Sequence, residues 1–205
     1  MARSNAMIRP PPTQPSAMLY QIVSLLLEVT VGLVTGTCLL RLYMQHQRIP
    51  MSARSGNPMG RFIFALTDWL VLPLRRVIPA AGRWDLASLV GAYLLQLLQT
   101  GILWALGGGG ASVVDVAVLA AFGVVRMALS GLTGLVIVFA ILSWVQTQSY
   151  LSDLLDRLVA PPLAPIRRVV PLVGGVDLSP LVLLVLLQIA AILLGSVQAA
   201  VLGLL

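Results

Sequence analysis

The chain carries the stretch Pro73-Leu74-Arg75-Arg76-Val77-Ile78-Pro79 and repeats it, nearly unchanged, as Pro165-Ile166-Arg167-Arg168-Val169-Val170-Pro171. The two copies lie 92 residues apart, and the same offset pairs Gly82 with Gly174, Asp85 with Asp177 and Gln96 with Gln188. Chance similarity between apolar helices does not align prolines, an arginine pair, a glycine and an aspartate together. The sequence therefore contains an internal repeat, whose unit is an apolar segment, a basic loop and a second apolar segment.

The composition around these repeats is far too apolar for a soluble domain. Of the 205 residues, 59% are hydrophobic and only 10% are charged, and the mean hydropathy is +0.97. An ordinary soluble domain has about 25% charged residues. In water, a chain of this size would expose too much apolar surface. The composition excludes a soluble enzyme and a disordered chain, and it predicts an integral membrane protein.

Four apolar stretches are long enough to cross a membrane, which takes about 20 residues for a hydrocarbon core of about 30 Å. We predict an all-α integral membrane fold with four transmembrane helices, at residues 17–44, 86–106, 127–145 and 178–205. Residues 113–125 either extend the third span as a helix or form a shallow interfacial helix.

The repeat divides the chain into two similar units. The predicted segments are a disordered proline-rich tail at 1–16, a first unit at 17–106 with its loop at 45–85, a glycine turn at 107–112, and a second unit at 113–205 with its loop at 146–177. Because each unit crosses the membrane twice, both units have the same orientation. The arrangement is therefore predicted to be a parallel repeat, unlike the inverted repeats of many transporters.

Each loop is predicted to contain an amphipathic helix that lies in the membrane interface. In the second loop, five apolar side chains share one helical face, namely Tyr150, Leu151, Leu154, Leu155 and Leu158. In the first loop, the segment 58–72 is more apolar and offers side chains that can sink among acyl chains. Pro73 and Pro165 are expected to end these helices, because proline lacks the backbone N–H. Asp85 and Asp177 are placed to N-cap the spans that follow.

Arginines set the expected orientation. All 13 basic residues are arginines and the net charge is +6; the two long loops hold nine of them, at positions 48, 54, 61, 75, 76, 83, 157, 167 and 168. The opposite side has only Arg3 and Arg9. The positive-inside rule then predicts cytoplasmic loops with both termini outside. A nucleic-acid binder would also be basic but would not be so apolar, so we expect no nucleic-acid partner.

The segments around the repeat resemble the YggT family of small multi-pass membrane proteins. The similarity is carried by Asn57-Pro58, by residues 66–79 and by residues 159–180, and it covers nearly the whole chain from about Leu19. The D-x-S-P element of the family is intact at 177–180, whereas the first copy, 85–88, lacks the proline. Arg41 matches an arginine that is common near the end of the family's odd-numbered spans, whereas the second repeat has Leu142 there.

The resemblance implies a multi-pass protein of the bacterial inner membrane, with relatives in cyanobacteria and plastids. Members of the family are associated with cytochrome maturation, membrane-protein assembly, cell division and osmotic or ion homeostasis. The resemblance thus implies an architecture and a range of cellular processes.

The repeated arginine pairs are the candidate lipid-binding residues. A guanidinium group matches the oxygens of a phosphate with two parallel hydrogen bonds. We expect the four side chains to contact anionic lipid head groups, namely Arg75, Arg76, Arg167 and Arg168. The alternative is that they only determine topology.

Four further polar residues fall inside the predicted spans or, for Arg126, at the edge of one; ionisable groups there are costly and usually functional. Glu28 either belongs to a proton or cation path or makes one structural hydrogen bond. Gln96 and Gln188 lie at equivalent depths, and they either pack helices together or line a polar cavity. Arg126 can extend to the head groups at the outer end of the third span, where the small residues at 130, 131 and 134 suggest close helix contact.

The single Cys38 and the single His46 exclude an internal disulfide and a cysteine or histidine metal cluster. We therefore expect no catalytic residues, no metal and no cofactor. The favoured function is non-enzymatic, in membrane-protein or cytochrome assembly or in membrane and division organisation. The expected partners are anionic lipid and other membrane proteins. The alternative is an oligomeric channel or transporter component in ion or osmotic homeostasis, which would require association of several copies.

Overall fold

The computed structural model describes residues 15–51, 58–78, 84–107, 112–145, 149–170 and 177–203, and most of the tail and of the glycine turn considered above lies outside them. The regular structure of the described residues consists of six helices, α1 at Pro15–His46, α2 at Pro58–Val77, α3 at Leu86–Leu106, α4 at Val113–Val145, α5 at Tyr150–Arg167 and α6 at Ser179–Leu202.

Four of these helices are long and apolar enough to cross a membrane, over Met18–His46, Leu86–Leu106, Val113–Ser143 and Ser179–Leu202. The predicted all-α fold with four spans is thus confirmed at this level. Helix α4 runs without interruption through 33 residues. Residues 113–125 therefore extend the third span as a helix, which was one of the two alternatives that the sequence left open.

Among the long helices, α3 packs on α1 and α4, and α4 also packs on α1 and on α6. Helix α2 packs on α1 and α3, whereas α5 packs on α4 and α6. One apolar cluster joins the last turn of α1 to both short helices, through Met44, Ile49, Ile63, Leu154 and Leu158. The two short helices therefore lie at the same end of the bundle, which we call the basic end because α2 and α5 carry five of the arginine side chains described above.

The short helices bury one face each in the protein. Helix α2 buries Ile63, Thr67 and Val71, while Phe62 and Trp69 on its other faces are more than half exposed. In α5, the apolar face found in the sequence packs largely on protein, because Leu154, Leu155 and Leu158 are almost completely buried.

The prediction that Pro73 and Pro165 end their helices is wrong. Helix α2 continues past Pro73, and α5 contains Pro161, Pro162 and Pro165. A proline inside a helix removes the hydrogen bond to the carbonyl four residues earlier, so that carbonyl needs another partner. For Pro162 this carbonyl belongs to Leu158, which accepts a hydrogen bond of 2.7 Å from the Tyr43 hydroxyl. A side chain of α1 thus replaces the bond that the proline removes from α5.

This bond yields a prediction. Tyr43→Phe should lower the thermal stability of the protein in detergent, because it leaves a carbonyl without a partner at a cost of about 1–3 kcal/mol. In a Pro162→Ala background, the backbone N–H of residue 162 can bond to Leu158 again, and the same Tyr43→Phe change should cost clearly less. Melting temperatures of the four proteins measure this coupling; equal costs in the two backgrounds would contradict it.

Candidate functional site: a buried charge cluster

Arg41 lies about one and a half turns before the end of α1, and only 2% of its side chain is exposed. A guanidinium group cannot lose its protons inside a protein, so its burial is tolerated only when other groups supply charge and hydrogen bonds. The partners of Arg41 therefore decide whether α1 can pack in this position.

Helix α2 supplies the first set of partners. The Nη1 atom of Arg41 donates to Thr67 Oγ1 and to Asp68 Oδ1, both at 2.7 Å. The Arg41 guanidinium also lies over the ring of Phe64, 4.8 Å from its centroid. Residues 64, 67 and 68 are three and four positions apart, which places them on the same face of a helix.

Asp85, the residue before α3, supplies the second set and is completely buried. As the N-cap residue of α3, Asp85 accepts a backbone hydrogen bond from Ser88, whose hydroxyl donates to Oδ2 at 2.7 Å. Arg75 forms an ion pair with the same carboxylate, with Nε 3.3 Å from Oδ1. Arg41 Nε lies 3.7 Å from Asp85 Oδ2, and Arg75 also donates to Gln45 at 3.1 Å.

These residues form the charge cluster: Arg41, Gln45, Thr67, Asp68, Arg75, Asp85 and Ser88. Two arginines face two aspartates, so the cluster is electrically balanced. Burial opposes the ionisation of Asp85, but the hydrogen bonds from Arg75 and Ser88 and the charge of Arg75 outweigh it and hold the pKa of that carboxyl below 3.8. Asp85 is therefore ionised at neutral pH, and the cluster ties α1, α2 and α3 together at the basic end.

The second repeat has a reduced form of this cluster. The offset of 92 places Val159 and Ala160 at the positions of Thr67 and Asp68. Val159 is fully buried and packs with Val136 and Phe139 of α4, so this contact between helices is apolar in the second repeat. The sequence match of Arg41 with Leu142 remains a prediction.

The arginine–aspartate pair itself is present in both repeats. Arg167 Nε lies 2.9 Å from Asp177 Oδ2, and both side chains are about one-third exposed or more. Asp177 also accepts from the backbone N–H of Ser179 at 2.9 Å, at the start of α6. Burial again opposes ionisation, but the hydrogen bonds from Ser179 and Arg167 prevail and lower the pKa of Asp177.

The four candidate lipid-binding arginines thus differ in their surroundings. Arg75 and Arg167 turn toward the aspartates of their own repeats. Arg76 and Arg168 are exposed at the ends of α2 and α5. Arg167 is also exposed in spite of its ion pair, so only in the first repeat is the second arginine clearly more exposed than the first.

The polar residues of the spans do not come together. Glu28 lies on an exposed part of α1, and Gln188 is exposed on α6. Gln96, in contrast, is 8% exposed, and its Oε1 atom lies so close to Gly123 of α4 that there is no room for a Cβ at that position. Arg126 is exposed and hydrogen-bonds to Gln198 of α6. The repeat predicts equal depths for Gln96 and Gln188, but Gln96 lies in the interior of the bundle and Gln188 on its surface.

One expectation about the third span needs correction. The small residues at 131 and 134 do not mark close helix contact, because a Cβ added to either glycine would meet nothing within 4 Å. The close approach is at Gly123 instead. Asp115 forms a capping box with Ser112 at the start of α4, where Ser112 N donates to Asp115 at 2.7 Å and Asp115 N donates to Ser112 at 3.1 Å.

Sequence reasoning did not bring Arg41, Thr67 and Asp68 together as a site. The signal that could have found it was the charge of Arg41 itself, since an arginine inside a span needs an acidic or carbonyl partner nearby. Asp68 lies on a mostly apolar helix and is the acidic residue of α2. Within the described residues, no group of three or more histidines, cysteines or acids could hold a metal ion.

The cluster makes a prediction about stability. Arg41→Met and Asp85→Asn should each lower stability by about 3–5 kcal/mol, because each leaves a buried charge without its partner. Asp177→Asn is the matched control, since it affects an equivalent but partly exposed pair and should cost about 1 kcal/mol or less. Thermal unfolding in detergent measures both effects, and a control as destabilising as Asp85→Asn would show that burial is not the cause.

A second prediction concerns pH. Because the pKa of Asp85 is lower in the folded protein than the ordinary 3.8, its contribution is complete above that value and is lost as the pH falls through the folded pKa. The melting temperature of the wild type should therefore fall in this acidic range. In Asp85→Asn the fall should be shallower and the starting value lower. Parallel curves for the two proteins would exclude Asp85 as a cause.

Comparisons with known proteins support the repeat. The profile of the CCB3/YggT family matches residues 17–106 and, a second time, residues 114–198. An uncharacterised protein encoded beside proC in Vibrio alginolyticus is 35% identical over 178 residues, which cover 85% of this chain and 94% of that protein. The uncharacterised protein YggT of Escherichia coli K12 is 34% identical over 169 residues, covering 82% of this chain and 86% of that protein. No solved structure matches.

Proposed function

This chain belongs to the CCB3/YggT family, and we propose that it is a non-enzymatic integral inner-membrane protein that associates laterally with other membrane proteins. In this role it would act in membrane-protein or cytochrome assembly, or in membrane and division organisation. The observation that carries the proposal is the position of three of its four polar span residues, Glu28, Arg126 and Gln188, on the outside of the bundle.

Glu28 is the strongest of these outward polar groups. It lies about 20 Å along α1 from Arg41, and therefore well within a core of about 30 Å if Arg41 marks the basic end. The first half of α1 around it is largely exposed, including Leu25, Leu26 and Val29 at about 60% each. A carboxyl group facing lipid is costly, and a partner helix that donates a hydrogen bond removes the cost.

Two other exposed polar groups also support lateral association with a partner helix. Gln188 is exposed on α6, and Arg126 is exposed while bonded to Gln198. Helix α6 itself presents many large apolar side chains outward, among them Leu181, Ile192 and Leu193. A path for ions through a single chain would instead require such polar groups to face one another inside the bundle.

We also propose the finer arrangement. The two units, at 17–106 and 113–205, form parallel repeats, with α2 and α5 in the membrane interface, and the family profile matches each of them over 17–106 and 114–198. The common location of α2 and α5 at the basic end supports this orientation. The excess of arginine there supports a cytoplasmic location for the basic end, with both termini outside.

The basic end is also the proposed contact with anionic lipid. Arg76 and Arg168 are exposed at the ends of α2 and α5, and a basic residue near an anionic leaflet gains about 1 kcal/mol. Arg75 and Arg167 contribute less, because their guanidinium groups are already paired with Asp85 and Asp177.

Site-specific crosslinking in native membranes tests the lateral association. A photoreactive amino acid at Leu25, which is exposed one turn from Glu28, should give discrete protein adducts. Glu28→Leu should reduce these adducts several-fold, because the partner loses its hydrogen bond, whereas Glu28→Gln should retain most of them. The same photoreactive residue at the buried Val31 is the control and should give few adducts.

The outcome that contradicts this function is equally specific. Adducts with lipid alone, together with an ion flux into liposomes that Glu28→Gln abolishes, would overturn the assembly function. That result would establish the alternative of an oligomeric channel, in which Glu28 of several copies faces a shared pore.

A further inference from the structure

A cavity of about 580 Å³ lies between α1 and α4. Its walls are almost entirely apolar, and it is open along one side. We call it the α1–α4 groove, and its main lining residues are Leu33, Gly36, Leu40, Gly131, Leu132 and Leu135.

The groove exists because α1 and α4 touch near one end and then separate. A Cβ at Gly32 would lie 3.3 Å from the Met127 side chain, and one at Gly36 would lie 3.8 Å from it. Further toward the basic end, a Cβ at Gly131 would meet nothing within 4 Å. The missing side chain at position 131 therefore leaves the space open.

The length of the groove corresponds to one leaflet. It extends along α1 from Leu33 to His46, which is about 20 Å at 1.5 Å per residue. Half of the hydrocarbon core measures about 15 Å. The groove thus runs from about the middle of the membrane to the head-group level at the basic end.

The end of the groove at the basic end is polar and aromatic. The rings of His46 and Trp84 lie there with their centroids 4.6 Å apart, and tryptophan is typical of the membrane interface. The Nδ1 atom of His46 is buried and has no hydrogen-bond partner among the described residues. A buried ring nitrogen normally has one, so a polar group that enters the end of the groove would satisfy it.

We propose that the α1–α4 groove binds one acyl chain of a phospholipid from the leaflet at the basic end, with the glycerol-phosphate part of that lipid at His46 and Trp84. The dimensions of the groove favour a lipid chain over a helix. A helix with its side chains is about 10–12 Å wide, whereas the groove falls within the usual range of small-ligand sites, about 300–1,000 Å³.

The site differs from the surface contacts of Arg76 and Arg168. Those contacts depend on charge and fall off with salt, whereas the α1–α4 groove holds a chain by apolar contact along its length. Binding in the groove should therefore persist at high ionic strength.

The experiment uses the full chain in nanodiscs of phosphatidylethanolamine and phosphatidylglycerol that contain a phospholipid with a photoreactive group in the middle of its acyl chain. After irradiation, mass spectrometry of peptides should find the label concentrated on the segments 33–43 and 127–135. Gly131→Leu fills the groove and should reduce this labelling several-fold, at low and at high salt alike.

Gly134→Leu is the matched control. Gly134 lies on the same helix less than one turn away, and its Cβ position is equally open, but this glycine does not line the groove. The labelling of the Gly134→Leu variant should therefore equal that of the wild type. If Gly131→Leu fails to fold, Ala128→Leu fills the same groove from the next turn of α4.

Some results would overturn the proposal. Undiminished labelling in a folded groove-filling variant would show that the lipid chain lies elsewhere, as would label spread evenly over the exposed faces of α1 and α6. Labelling that high salt removes would assign the lipid to the surface arginines. A His46→Ala variant that labels the same residues with the same yield would exclude the His46 contact with the lipid.

Discussion

The burial of Arg41 is the constraint on which the first repeat depends. Its guanidinium remains charged, so α1 can pack beside α2 and α3 only where Thr67, Asp68 and Asp85 meet it. Asp85 in turn is held by Arg75 and by the first turn of α3. A buried ion pair adds little net stability compared with apolar packing, but a misplaced one is costly. The charge cluster therefore specifies how the three helices are arranged more than it strengthens their association.

The second repeat reaches a similar arrangement by different means. Val159 stands where the first repeat has Thr67, and it packs with Val136 and Phe139. Apolar contacts carry no directional requirement, so α4 and α5 can adjust against each other at small cost. Arg167 and Asp177 keep their pair, but at a partly exposed position where solvent weakens it. The first repeat is thus held by directed charge contacts, whereas the second is held mainly by apolar packing.

The sequence was sufficient to predict features that depend on local pattern. It was insufficient for features that depend on which way a helix face points and on contacts between residues far apart in the chain. Apolar runs of about 20 residues predicted the four spans, and repeated prolines and arginines predicted the family. Pro165 was expected to end α5, but a helix tolerates an internal proline when the freed carbonyl has another partner. The carbonyl freed by Pro162 has such a partner in Tyr43, which is 115 residues away from Leu158. The charge cluster was missed for the same reason, since Arg41 and Asp68 are 27 residues apart. Equal depth also could not show that Gln96 faces inward and Gln188 outward.

Helix α1 carries residues of three of the features described above. It is continuous from Pro15 to His46, so one helix carries the exposed Glu28, one wall of the α1–α4 groove and the buried Arg41. Its basic end is fixed twice, by the charge cluster and by the Tyr43 hydroxyl on α5, whereas its first half is largely exposed. The groove is lined along α1 from Leu33 to His46, so Tyr43, whose hydroxyl binds α5, is also part of its wall. The contacts that fix the basic end of α1 therefore also fix one wall of the groove.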